Sequence, residues 1–154
     1  MAARPLSFRS LTPGERALAA EMFGAGLDAA RVRIWAIPLW NRAFVAGPSL
    51  IAWPARDLPM DFAQASLAAQ GVFVHELTHV WQAQNGVTLL LAKLRAGDSE
   101  ASYAYEAAGL SDFARLNIEQ QAMVVQHAFL ASRGARTPLP AELYANVNAA
   151  WRRG

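Results

Sequence analysis

The stretch Gly71-Val72-Phe73-Val74-His75-Glu76-Leu77-Thr78-His79-Val80-Trp81-Gln82 decides how the rest of the chain is read. It contains H-E-x-x-H. In a helix, His75 and His79 fall on one face, roughly 6 Å apart along the axis. Two imidazoles so placed can share one zinc ion. Glu76, next to His75, then lies beside the open position of the metal, where it can take a proton from bound water. The competing reading makes both histidines satisfied core residues. The segment is so apolar, however, that desolvating two histidines and a glutamate without partners is costly, and a metal supplies partners for both rings.

The chain has 154 residues, enough for one domain, expected over 1–154, with a real core. Hydrophobic residues make up 54% and charged residues 17%, a globular rather than a disordered balance. Lys93 is the only lysine among 14 basic residues. A net charge of +2 with scattered arginines gives no basis for a nucleic-acid partner. The absence of cysteine rules out disulfides, cysteine-ligated zinc and a thiol nucleophile. The N-terminus lacks the apolar core of a signal peptide, and no run approaches the roughly 18 apolar residues of a membrane span. The expectation is a cytoplasmic protein as encoded, with no membrane partner, exported by another apparatus if at all.

Upstream of the motif, Thr12-Pro13-Gly14-Glu15 has the spacing of a capping box and predicts a helix through Phe23, stopped by Gly24 or Gly26. Strand candidates follow at 31–35, 42–46 and 49–53. Prolines 48 and 54 flank the last of these and suit a short edge strand, which could pair with an extended peptide. Asp61 or Ser66 can cap the central helix, predicted over 66–84 and stopped by Asn85-Gly86. A short helix over 87–94 ending at Gly97 comes next, then irregular structure over 98–110. A further helix is expected from 112 or 118, capped by Ser111 or Asn117, to Ser132. A terminal helix over 141–151 closes the chain.

Two histidines need a third protein ligand. The pattern H-E-x-x-H-x-x-G-x-x-H is excluded, because positions 82 and 85 hold Gln82 and Asn85. Downstream carboxylates are Asp98, Glu100, Glu106, Asp112, Glu119 and Glu142. Glu119 ranks first. It sits near the start of an apolar helix, where a buried carboxylate requires a counter-charge. Glu106 ranks second, and His127 gains weight only if Glu119 does not bind.

His75-Glu76-Leu77-Thr78-His79-Val80-Trp81-Gln82 followed by Ile118-Glu119-Gln120-Gln121-Ala122 resembles small bacterial zincin-like proteins, often labelled Vgr-related, whose genes lie beside spike proteins of type VI secretion systems. The likeness runs from about residue 11 to residue 130 and includes the strand pair before the motif. It implies an α+β, mainly helical, minimal zincin-like fold of the gluzincin type. In that fold a two- or three-stranded sheet packs on a central HExxH helix. It also implies His75, His79 and Glu119 as Zn2+ ligands and Glu76 as general base. Gluzincins commonly carry an acidic residue four positions after the ligating glutamate, bracing a histidine. Here that position is Met123, and Gln120, Gln121 or a backbone carbonyl would have to substitute.

The expected activity is hydrolysis of peptide bonds in a peptide or protein substrate by zinc-activated water, with Tyr103 or Tyr105 as oxyanion donor. The alternative is a catalytically weak or inactive zinc-binding adaptor of a secretion apparatus, partnered with a Vgr-type spike protein. Its grounds are the small size, Met123 and the exposed-looking Trp35, Trp40 and Trp151. A third reading is a peptidase-like toxin, or its processing partner, delivered by the same apparatus.

Overall fold

Thr12 opens the first helix as its spacing predicts. In the computed structural model, which describes residues 4–147 and 151–152, α1 runs Pro13–Phe23 behind a complete Thr12/Glu15 capping box. Glu15 does more than cap. Its buried carboxylate also accepts both guanidinium nitrogens of Arg9, at 2.7 and 2.8 Å, and the Phe62 backbone N–H at 3.0 Å. One side chain thereby ties the N-terminal strand, α1 and the approach to the central helix together. Glu15→Ala is expected to lower stability by about 3 kcal/mol in urea unfolding, because it strands partly buried Arg9 and two backbone donors.

The four-stranded sheet has the order β1-β2-β4-β3, with β1 Phe8–Ser10, β2 Arg33–Ile37, β3 Phe44–Val45 and β4 Leu50–Pro54. β1 is an addition to the two or three strands expected. It pairs antiparallel with β2, and its Phe8 stacks on half-buried Trp35 with centroids 5.6 Å apart. Residue 31 lies in a short 3-10 turn, so β2 begins later than its alternating pattern suggests.

The expectation that the proline-flanked strand is an edge is corrected. β4 lies inside the sheet, parallel to β2 and antiparallel to β3. Proline is tolerated there because the β2 ladder continues through the Ala55 N–H, bonded to the Ile37 carbonyl at 2.9 Å. Position 54 faces the other side, beyond the end of the two-residue β3, where no donor is called for. The true edge is β3. Ala46 donates to the Leu50 carbonyl at 3.0 Å, so by antiparallel alternation the backbone groups of Val45 point away from β4.

Ser66 caps the central helix α2, Leu67–Gln84, while Asp61 caps the 3-10 turn before it. α2 packs along α6, Ile118–Ser132, and a methyl group added at Gly71 would lie 3.2 Å from Leu130. The two helices are therefore close where the sequence has its smallest side chain. α6 starts at the later of the two expected positions, behind an Asn117/Gln120 capping box. Between them lie α3, Leu89–Ala96, and two single-turn helices, α4 Glu100–Tyr103 and α5 Ala107–Leu110, where irregular structure is expected.

α7, Ala141–Val147, follows the proline-rich linker, and the expected continuation through 148–150 lies outside the described residues. Trp151 is fully buried against Phe113, which corrects its reading as an exposed aromatic, whereas Trp40 is half exposed. The architecture is α+β and mainly helical. Among the described residues no helix is long and apolar enough to cross a membrane.

Candidate metal centre

His75 and His79 sit one helical turn apart on the buried face of α2, their ring centroids 4.9 Å apart. Glu119 enters from the first turn of α6. Its Oε2 lies 3.3 Å from Nε2 of both histidines, and the three prospective ligand atoms all fall within 4.8 Å of one another. Among the described residues this is the group of His, Asp and Glu side chains that could hold a metal ion.

Glu119 Oε2 is fully buried and has no hydrogen-bond partner, although it sits between two ring nitrogens. A native protein rarely leaves a carboxylate oxygen so placed. Two imidazoles and a carboxylate are the donor set of many catalytic zinc sites. The residues present therefore fit a divalent metal.

The outer nitrogens of both rings are anchored. His79 Nδ1 lies 2.8 Å from Gln82 Oε1. Gln82 Nε2 donates to the Ile118 carbonyl and to Gln121 Oε1, both at 2.9 Å, which identifies Oε1 as the acceptor and leaves His79 Nδ1 as the donor. His75 Nδ1 is 3.1 Å from Gln126 Oε1 in the same sense. With the proton held on Nδ1 in the neutral form, each Nε2 turns its lone pair toward Glu119 Oε2. Gln82 and Gln126, rather than the expected Gln120, Gln121 or a backbone carbonyl, contact the outer ring nitrogens. Gln121 takes part only indirectly, and Gln120 is used in the helix cap.

The signal for both glutamines was present as helical spacing. Gln82 is three residues beyond His79, and Gln126 is two turns beyond Glu119. Nothing in the sequence alone selects them from the neighbouring glutamines. Gln82→Leu or Gln126→Leu is expected to weaken zinc binding about 10–100-fold without unfolding the protein, measured by competition with a chromophoric chelator.

Burial works to raise the pKa of Glu119, but the two imidazoles outweigh it and hold the carboxyl well below its usual range. Burial likewise opposes protonation of His79, yet Glu119, Glu76 and Gln82 together raise its pKa. The cluster thus attracts a proton where a metal cation would compete for the same lone pairs.

Glu76 is buried and lines a cavity of about 660 Å³ that opens over the centre, bounded by the β3 edge on one side and by α3 on the other. A second hollow of about 410 Å³ shares His75, Glu76, Arg42 and Tyr103 with it, so the cleft continues past Glu76 in both directions. The two tyrosines separate here. Tyr103 lines the cleft, its ring stacked over His75 at 6.4 Å, and its hydroxyl donates to Asp98 at 2.9 Å. Burial, the charge of Glu119 and the bond to Asp98 push its pKa up to about 12, so it remains an O–H donor at neutral pH.

Tyr105 points elsewhere. Its hydroxyl lies 2.5 Å from His127 Nδ1 and 2.6 Å from the Tyr144 hydroxyl, a network that joins α6 to α7. His127 is occupied there, and exposed Glu106 stands at the start of α5, so neither alternative ligand joins the centre.

No family model matches the chain. It is 34% identical over 134 residues to the type VI secretion system spike protein VgrG2b of Pseudomonas aeruginosa, a match that covers 79% of this chain and 13% of the spike protein. The chain therefore spans a small part of that relative's length. The solved effector domain of Pseudomonas aeruginosa VgrG2b superposes with a TM-score of 0.65 and 33% identity, over 94% of this chain and 83% of that one.

Proposed function

Because the chain belongs to the family of the VgrG2b effector domain, we propose that it is a secretion-associated effector-type domain that hydrolyses peptide bonds with zinc. The observation that carries the metal is Glu119 Oε2, buried without a hydrogen-bond partner between two imidazoles whose tautomers present their lone pairs to it. His75, His79 and Glu119 would hold the ion in the manner of a zincin-like fold. Bound zinc would supply a Lewis acid and a water of lowered pKa.

The remaining work falls to the chain's own side chains. Glu76, buried in the cleft next to His75, accepts the proton of the attacking water and returns it to the leaving amine. The outward backbone groups of Val45 on the β3 edge can bond an extended peptide as an added strand. Tyr103 keeps its proton and can turn its O–H from Asp98 to a developing oxyanion. Secretion partners follow from kinship. The similarity to a spike protein supports association with a Vgr-type protein and export by its apparatus.

A zinc-binding adaptor without turnover remains the second reading, favoured by one observation. The Tyr103 hydroxyl is already engaged by Asp98 and lies 3.5 Å from Arg42, an arrangement that suits a locked rim as well as a catalytic donor. Metal analysis of protein purified without added metal, paired with a general peptidase assay, tests the proposal. About one zinc per chain with measurable hydrolysis is the expected result under the three-ligand site. Zinc without hydrolysis selects the adaptor, and no zinc overturns both.

A further inference from the structure

The charges that line the cavity over the metal centre balance in the protein by itself, and a bound cation would upset that balance. Among the described residues that line it, four are charged: Arg42, Glu76, Lys93 and Glu119. Arg42 is committed to Asp98 by two contacts of 3.3 Å. Lys93 on α3 reaches across to α6, with Nζ 3.6 Å from Glu119 Oε1, the oxygen turned away from the histidines. Its side chain is 46% exposed, and with this one ion-pair contact among the described residues the ammonium can swing on its four-carbon stem.

A divalent cation held by His75, His79 and Glu119 would offset the charges of Glu119 and Glu76. Lys93 would then lack a counter-ion among the described residues that line the cavity. Asp98, whose carboxyl also feels the charge of Lys93, is already engaged by Arg42 and Tyr103. The same cavity is also lined by apolar Leu89 and Leu90 of the Lys93 helix, by Val45 and by Ile118. Such a surface discriminates by sign of charge as well as by hydrophobicity.

We propose that Lys93 recognises a carboxylate on the substrate, carried by an acidic side chain or by a peptide C-terminus and flanked by apolar residues. The inference rests on the metal-centre reading above and adds the substrate class to it. Lys93 is then a specificity residue: its contact with Glu119 Oε1 holds it at the cavity wall, where its half-exposed ammonium meets the substrate.

The test uses zinc-loaded Glu76→Gln protein, so that binding is read without turnover, after its zinc content has been measured. The probes are acetylated, leucine-rich pentapeptides in three forms: amidated with one glutamate, amidated with glutamine in its place, and the glutamine form with a free C-terminal acid. By calorimetry at least one of the carboxylate-bearing forms should bind about fivefold more tightly than the neutral form, the range of a partly solvated ion pair. The preference should vanish with Lys93→Met, return with Lys93→Arg and shrink as salt is raised.

Preference for the glutamate form alone assigns an acidic side chain, and preference for the free acid alone assigns a C-terminus. Equal or undetectable binding of all three probes to zinc-loaded protein overturns the inference while leaving the metal centre standing. So does a preference that survives Lys93→Met. Failure to bind zinc overturns the metal-centre reading, and the inference falls with it.

Discussion

Glu76→Gln should lower peptide hydrolysis by roughly 10²–10⁴-fold, the usual worth of a general base, while zinc content stays at the level of the unmodified protein. Glutamine keeps the shape of the side chain and its buried place beside His75, so the fold and the three ligands are undisturbed. What it loses is the ability to accept a proton. The comparison is made by single-substrate kinetics alongside metal analysis of the same preparation. A variant that keeps full activity would remove Glu76 from the chemistry. Loss of zinc together with activity would make Glu76 a ligand or a support for one, contrary to its position outside the cluster of His75, His79 and Glu119.

Glu119→Ala is expected to abolish the stabilisation that zinc confers. A metal that binds only the folded state at about 1,000 times its dissociation constant adds roughly 4 kcal/mol. Two histidines alone are expected to lose that affinity by more than the roughly 10–100-fold typical of losing a brace. The metal-free variant should also be less stable than the metal-free parent at neutral pH, because the two imidazoles and Lys93 favour the ionised carboxylate in the folded protein. Melting curves with zinc and with a chelator, recorded for both proteins, read the two effects separately. A zinc-dependent shift that persists in Glu119→Ala would send the search for the third ligand elsewhere. A metal-free variant as stable as its parent would show that the imidazoles and Lys93 give the carboxylate no net support.

The relation between these two substitutions follows from geometry. Glu76 and Glu119 are both buried acids in one cavity, yet only Glu119 lies 3.3 Å from both imidazoles. Removal of the first should cost rate and spare affinity, and removal of the second should cost affinity and with it any rate. The difference between the two outcomes is a stronger test than either alone.

Much of the centre could be read from the residues because the signals are local. His75 and His79 are one turn apart, which places them on one face of any helix that contains them. Thr12 with Glu15 and Asn117 with Gln120 mark helix starts through hydrogen bonds that span three residues. Glu119 stood out because a carboxylate amid apolar helix positions has to be compensated by something. The misreadings have a different origin. β1 is three residues long and earns its place only by pairing with β2. The inner position of β4 depends on which strands lie on either side, and flanking prolines say nothing about that choice. Tyr103 and Tyr105, two residues apart, face a cleft and a hydrogen-bond network respectively, and the short turn between them has no periodicity to predict which is which.

By itself the sequence determined the central helix, its paired imidazoles, the neighbouring glutamate and the first choice of third ligand, since each depends on spacing along one helix or on the cost of burying one charge. The tertiary structure decided what surrounds them: the glutamines that set both tautomers, the β3 edge beside the cleft, the tyrosine that faces it and the single lysine laid against Glu119. The physical reason is that these contacts join segments dozens of residues apart. A chain encodes such pairings through the packing of all its elements at once, and no local pattern carries them.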